Sequence, residues 1–287
     1  MELVLLTHTD LDGIGCAVVY RAATGRDDYR LVENGAVDAA VTEAMASARD
    51  LLLTTHSISE ATVPAVEAFI AAGGSFALLD HHQSALPLAR HPWARVELDH
   101  SATWLCWDHL GRLPEVEEFA RLVEDHDLWR HRDPRSSQLA ALLGLEGEEH
   151  FLERFARRPA VEFTEGELLL LEVEERRRRD YIDRKVEQAE VVEAGGRRWA
   201  ICFAESYRSE LADALLDRLG AEGSAIVNAT KATVSLRSRT LDVAAIAERM
   251  GGGGHARAAA FTGQGKPLEA GLRRFREDLA RALAGPE

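Results

Sequence analysis

From Glu2 to about Gly111, short apolar runs alternate with longer stretches of helical spacing. Leu3 to Leu6, Tyr29 to Glu33, Leu51 to Leu53, Phe76 to Leu79 and Trp93 to Leu98 read as strands. Ile14 to Val19, Val37 to Ala48 and Glu60 to Ala72 carry the helical pattern between them. That alternation is the mark of βα units feeding a parallel sheet. Beyond Ser101 the chain turns helical. Ser101-Ala102-Thr103 opens one helix, Pro114 opens another that runs to Trp129, and Glu165 to about Glu190 forms a third, long one. At Gly195-Gly196 the pattern changes again. Trp199 to Phe203, Ala225 to Val227 and Thr233 to Leu236 are strands, while Ser209 to Leu219 and Val243 to Met250 are helices. The expected fold class is therefore α/β: a parallel-sheet domain over residues 1–164, a linker helix over 165–192 and a smaller α/β domain over 193–287.

Length supports this division, since 287 residues suffice for two proper cores. The N-terminus lacks a basic leader segment and its apolar run stops after Leu6, so no secretory signal is expected. Nothing approaches 18 uninterrupted apolar residues, so no membrane span is expected. Cys16, Cys106 and Cys202 lie far apart inside apolar patterns and read as reduced thiols of a cytoplasmic protein. A formal charge of −14 argues against a basic groove tracking a long duplex. It leaves room for a short anionic ligand held by a few local cations. The run Arg176 to Arg179 is flanked by Glu172, Glu174, Glu175 and Asp180 and reads as a solvated helix face.

Candidate chemistry gathers where strands end. Asp80-His81-His82 follows the run Phe76 to Leu79, and His8, Asp10 and Asp12 follow Leu3 to Leu6. In open α/β sheets ligands collect beyond the carboxyl ends of strands. Two strand ends bearing aspartate and histidine look like halves of one metal site. The mixed oxygen and imidazole donor set favours Mn²⁺, with Mg²⁺ second. Absence of cysteine beside these groups argues against structural zinc.

THTDLDG at Thr7 to Gly13, DHH at Asp80 to His82, SAT at Ser101 to Thr103, DHDLW at Asp125 to Trp129, and SLRS followed by GGGGHARAAAF up to Phe261 together resemble the DHH phosphoesterase superfamily with its DHH-associated C-terminal domain. The likeness covers nearly the whole chain and is strongest to the oligoribonuclease, or nanoRNase, branch. It implies a cytoplasmic metal-dependent phosphodiesterase that degrades short oligonucleotides to mononucleotides. It further implies His8 and Asp10 on one Mn²⁺, and Asp12, His81 and Asp127 on another. Asp80 would orient its neighbours and His82 would meet the reacting phosphate. In the second domain, Gly252, Gly253 and Gly254 would let backbone N–H groups approach a phosphate, with His255 as a further donor and Arg237 forking onto the anion. Partners implied are short oligonucleotides or nucleotides. A homodimer through the arginine-rich helix is compatible with the sequence, as is simple domain linkage.

One departure matters. The family supplies a bridging aspartate at the end of the strand before DHH, and here that place reads Thr54-Thr55-His56. Neutral imidazole has one acceptor nitrogen, so His56 can ligate one ion but not bridge two. Three outcomes stay open: His56 as a terminal ligand, compensation by Asp99 or Asp125, or a site holding one ion or none. The alternative activities are a nucleotide phosphomonoesterase, a dinucleotide phosphodiesterase, and a non-catalytic nucleotide-binding protein with a degenerate metal site.

Overall fold

The fold is that of a computed structural model, which describes residues 3–33 and 35–262. The expected second domain thus extends beyond the described residues. Two compact units emerge, Met1–Val173 and Glu174–Glu287.

In the first unit, β1 (Leu3–Thr7), β2 (Tyr29–Leu31), β3 (Asp50–Thr54), β4 (Ser75–Asp80) and β5 (Ala94–Val96) form one sheet in the order β2-β1-β3-β4-β5. Every neighbouring pair is parallel. The central strands are apolar along their length because both faces are covered. Leu5 and Leu52 face a core built with α1 (Leu11–Thr24), α4 (Ala102–His109), α5 (Pro114–Asp127), α6 (Pro134–Glu146) and α7 (Glu148–Arg157). Leu6, Leu51, Leu53 and Leu78 face a second core built with α2 (Val37–Met45) and α3 (Val63–Ala71). Each such buried leucine contributes about 1.5–3 kcal/mol of transfer free energy. The chain leaves β1 toward β2 on one side and returns to β3 on the other. The order therefore reverses at the β1/β3 junction, which is where such sheets open a crevice for ligands.

The long helix α8 (Glu165–Glu187) crosses the division between the units. Three of its arginines pair within the helix, Arg177 with Glu174 and Arg178 and Arg179 with Glu175, and Arg178 also reaches Glu210 at 3.5 Å. The helix stops at Glu187, short of the expected linker end at 192, and residues Glu190–Ala194 become β6. This strand hides in sequence because Glu190-Val191-Val192-Glu193 is mostly exposed at the sheet edge and carries no alternation.

The second unit is a mixed sheet in the order β10-β11-β9-β8-β7-β6, made with β7 (Arg197–Phe203), β8 (Gly223–Asn228), β9 (Thr233–Ser238), β10 (Gly253–His255) and β11 (Ala258–Thr262). Helix α9 (Arg208–Leu219) packs Leu211, Ala212 and Leu215 against Ala200, Cys202 and Ile226, while α10 (Val243–Arg249) packs Val243 and Ala247 against Leu236 and Ala259. The run Gly251–Gly254 leaves α10 through a turn at Gly251 and becomes the first part of strand β10, where Gly253 and Gly254 pair with Ala260 and Ala259 of β11. Close contact between strands requires two of these glycines. A Cβ on Gly252 would lie 2.1 Å from the Ala260 carbonyl oxygen, and one on Gly254, at φ +142°, 2.6 Å from the Ala259 Cα.

Candidate active site

Asp80 is the last residue of β4 and is completely buried. Its Oδ1 accepts the backbone N–H groups of His81 and His82 at 2.7 and 3.1 Å and the His82 Nδ1 at 2.7 Å. The carboxylate thus sets the turn after the strand and fixes the His82 ring with its proton on Nδ1. The Asp80 hydrogen bond raises the His82 pKa. Asp80 Oδ2 is buried with no hydrogen-bond partner.

Asp12, in the first turn of α1, is buried against the start of α4. Its two carboxylate oxygens accept the N–H groups of Ala102 and Thr103 at 2.9 and 2.8 Å, and its carbonyl accepts the Thr103 hydroxyl at 2.6 Å. These N–H groups have no partner within their own helix, so the carboxylate joins α1 to α4 while satisfying them. His81 lies between two acids, with Nε2 3.9 Å from Asp12 Oδ2 and Nδ1 3.2 Å from Asp127 Oδ2. Asp12, His81 and Asp127 each offer a ligand atom within 4.8 Å of the others, as do Asp80, His81 and His82. Burial, reinforced by Asp12, Asp10, Glu124 and Asp80, pushes Asp127 up to about 9, and its buried Oδ2 has no hydrogen bond. Burial also raises the Asp12 pKa.

His8 and Asp10 stand on the loop between β1 and α1. Asp10 caps α1 by accepting Gly13 N–H at 2.9 Å, and its Oδ2 lies 2.9 Å from His8 Nδ1. The hydrogen bond to Asp10 raises the His8 pKa. His56 is buried, its ring edge-on to His8 with centroids 5.0 Å apart. Its Nε2 lies 2.9 Å from the Val32 carbonyl oxygen, which leaves Nδ1 as the only nitrogen able to accept or ligate. Burial lowers the His56 pKa.

Where the resemblance implies a bridging acid, Thr54 is fully buried with Oγ1 unpartnered, and Thr55 takes φ +62°. A β-branched residue in that region is strained. The Thr55 hydroxyl donates to the Thr54 carbonyl at 2.6 Å and accepts the His8 N–H at 3.1 Å, so it ties the β1 and β3 loops together. Of the surplus acids, Asp125 is spent on its own loop, accepting the Arg132 and Asp133 N–H groups at 2.9 and 3.2 Å. Asp99 lies in a separate group with Glu97 and His100. His100 is held there by Glu124 at 2.8 Å.

The second unit carries a cavity of about 390 Å³ lined by Arg208, Ser209, Ser235, Arg237, Gly253 and Gly254 over an alanine floor. Arg237 Nη2 donates to the Ser209 hydroxyl at 3.1 Å. Among the expected residues, Arg237, Gly253 and Gly254 line this cavity, whereas Gly252 and the exposed His255 do not. A Cβ on Gly253 would meet nothing within 4 Å, so its glycine leaves open space. Arg208 and Ser209 escaped the sequence reading. Their sole signal is position, at the start of a helix, and only the sheet brings that start beside Arg237.

The first-unit cluster fits a divalent cation on its own chemistry. Two groups share His81, one with Asp12 and Asp127 and one with Asp80 and His82; the buried Asp80 Oδ2 and Asp127 Oδ2 have no hydrogen-bond partner, and burial among like charges raises the Asp127 pKa. A cation held by Asp12, His81 and Asp127 would give Asp127 Oδ2 the partner it lacks and offset the like charges around it.

The model of the DHHA1 domain matches residues 208–285. Oligoribonuclease NrnB of Bacillus subtilis (strain 168) is 30% identical over 283 residues, covering 88% of this chain and 71% of that protein. Among solved structures, the pGpG-specific phosphodiesterase PggH of Vibrio cholerae is similar with TM-score 0.58 at 15% identity, covering 100% of both chains. RecJ of Thermus thermophilus, in complex with Mn²⁺, is similar with TM-score 0.56 at 16% identity, covering 99% of this chain and 52% of that one. The last two likenesses speak to the fold, and the first two to ancestry. With the Asp-His-His turn and its acids gathered at the sheet's switch point, the chain belongs to the DHH phosphoesterase superfamily, in its oligoribonuclease-like branch.

Proposed function

We propose that this chain is a Mn²⁺-dependent phosphodiesterase that degrades short oligonucleotides to mononucleotides. The observation that carries this reading is the Asp12–His81–Asp127 cluster at the strand ends, beside the oriented His82. In this proposal Asp12, His81 and Asp127 hold a divalent ion, and His8 and Asp10 hold a second, with His56 Nδ1 as an additional donor. Such ions supply Lewis acidity toward phosphoryl oxygens and lower the pKa of water.

The protein's own groups do the rest. Asp80 holds His82 with Nδ1 protonated, which aims Nε2 at the reacting phosphate, and the raised pKa lets that ring carry a proton for the leaving oxygen. Arg237 and Ser209, with Arg208 nearby, bind a phosphate of the substrate in the second unit. NrnB, the 30% identical relative, is named an oligoribonuclease, which supports this substrate class. The net charge of −14 agrees with a substrate bearing few phosphates.

A second reading, a nucleotide-binding protein without turnover, draws on Thr54 and Thr55 standing where the family has an acid. A time course with short end-labelled RNA and DNA oligonucleotides in Mn²⁺ separates the two. We expect a ladder ending in mononucleotides. His81→Ala and Asp127→Ala should each lower kcat/KM on the order of a thousandfold, the scale of losing a group that stabilises transition-state charge. Binding without cleavage in any divalent metal would favour the second reading.

A further inference from the structure

Helix α5 ends two residues before an unusual turn. The Trp129 N–H donates to the His126 carbonyl at 2.9 Å, and the Arg130 N–H to the Asp125 carbonyl at 2.9 Å. These are the paired bonds of a Schellman cap, whose left-handed position belongs by preference to glycine or asparagine. Here it is filled by Trp129, at φ +54°, and His131 follows at φ +47°. An indole gains nothing from that backbone conformation. Strain of this kind, held by its surroundings, gathers at functional sites.

The surroundings do hold it. The Asp125 carbonyl also accepts the His131 N–H at 3.3 Å, and its carboxylate grips the next two residues of the loop. Arg130 is pinned by Glu124 at 2.7 Å and by the Asp99 carbonyl at 2.7 Å. His131 braces the indole edge-on, with centroids 4.3 Å apart at 81°, and Trp129 still remains 37% exposed. The result is an exposed tetrad, Trp129-Arg130-His131-Arg132, tied to the end of α5 by these bonds, in which aromatic and basic residues alternate on the surface of an acidic protein. Exposed rings interleaved with cations are what unpaired bases and their phosphates bind. The tetrad begins two residues after Asp127, hence within about 7.6 Å of it along the backbone.

We propose that Trp129 is a stacking platform for the nucleobase adjoining the scissile phosphate, and that it makes the site select single-stranded nucleotides over base-free phosphodiesters. The proposal rests on the reading of this site as one that cleaves short oligonucleotides. The indole also lies against His126, the residue before Asp127, with ring centroids 6.1 Å apart, and a phosphate held at Asp127 and His81 would carry its base one sugar away on this side of the helix end. Pre-setting the ring in a strained turn spares the ordering cost when the base arrives.

The test compares wild type, Trp129→Gly and Trp129→Phe on a dinucleotide and on the same dinucleotide made abasic at either position, with thermal unfolding alongside. Wild type should prefer the intact dinucleotide. Trp129→Gly should lose about tenfold in kcat/KM on it, chiefly through KM, the worth of one stacked base, so that the intact-to-abasic ratio collapses. Trp129→Phe should keep most of the ratio. Because glycine suits the turn, Trp129→Gly should unfold at the same temperature as wild type or higher. An unchanged ratio in Trp129→Gly, or a wild type with no preference for the intact dinucleotide, overturns the platform. A wild type that cleaves neither substrate refutes the hydrolytic reading instead. Dinucleotide affinity measured without turnover then decides, with equal affinities for wild type and Trp129→Gly overturning the proposal and a tenfold loss upholding it.

Discussion

Single residues in this protein carry unequal burdens that their identity alone does not reveal. Asp125 and Asp127 are two positions apart in the same motif, yet one is consumed by backbone N–H groups and the other has a buried oxygen with no donor. Asp133 shows a third role. It caps α6 by accepting the Arg135 N–H at 3.0 Å and pairs with the Arg135 guanidinium at 2.9 Å, which pulls its pKa down to about 2. An acid whose folded pKa lies below its unfolded value stabilises the fold above about pH 4, and that stability is lost as pH falls through the folded pKa. Asp133→Asn keeps an acceptor for the cap while removing the charge. Urea unfolding should show the variant less stable by about 0.5–1 kcal/mol at neutral pH. The gap should close between about pH 4 and pH 2.

Among the elements, α1 matters most to the site. Its first turn presses so closely on the chain leaving β1 that a Cβ on Gly13 would lie 2.1 Å from the His8 carbonyl oxygen, and on α4 that one on Gly15 would lie 2.4 Å from Thr103 Oγ1. The first contact is with backbone, so relief must move the loop bearing His8 and Asp10. Gly13→Ala should cost about 1–3 kcal/mol in urea unfolding, the usual range for overpacking. It should also weaken Mn²⁺ binding measured by calorimetry. Unchanged Mn²⁺ affinity would show that His8 and Asp10 stand apart from the ion. Strands β1, β3 and β4 are legible from their leucine runs because both faces are buried. Helices α6 and α7 go unassigned in the sequence although Asp133-Pro134 marks the start of the first and Phe151, Leu152 and Phe155 share a face of the second, and β10 reads as a ligand loop because three residues of glycine and histidine carry no periodicity.

At the scale of the whole molecule, the proposed function asks a chain of net charge −14 to take an anionic substrate, which it would do through few contacts. The slope of log(kcat/KM) against log salt should therefore be shallow, about −0.7 for each phosphate neutralised on a single strand and no steeper than about −2 in all. A slope near −5 would reveal a long phosphate track. Metal should act on stability as well as on rate. Mn²⁺ in hundredfold excess over its Kd should add about 2.7 kcal/mol to wild type. That gain, read as a rise in Tm over a chelator control, should vanish in His81→Ala.

Much of this molecule follows from local sequence alone. Buried runs that end in Asp and His declare a parallel sheet with polar groups at its carboxyl edge, and the motifs around them declare the family. Tertiary structure decided how those groups are used. The pairing of Asp12 with the first N–H groups of α4 and the turning of His56 toward Val32 join residues far apart in the chain, and Asp125 is taken up by the loop that folds back on its helix. The cavity shared by Arg208 and Arg237 arises in the same way, since the start of α9 and the strand β9 meet only when the sheet forms. A hydrophobic pattern records which face of an element is buried. It does not record which partner a polar atom finds there, because that partner comes from a distant part of the chain.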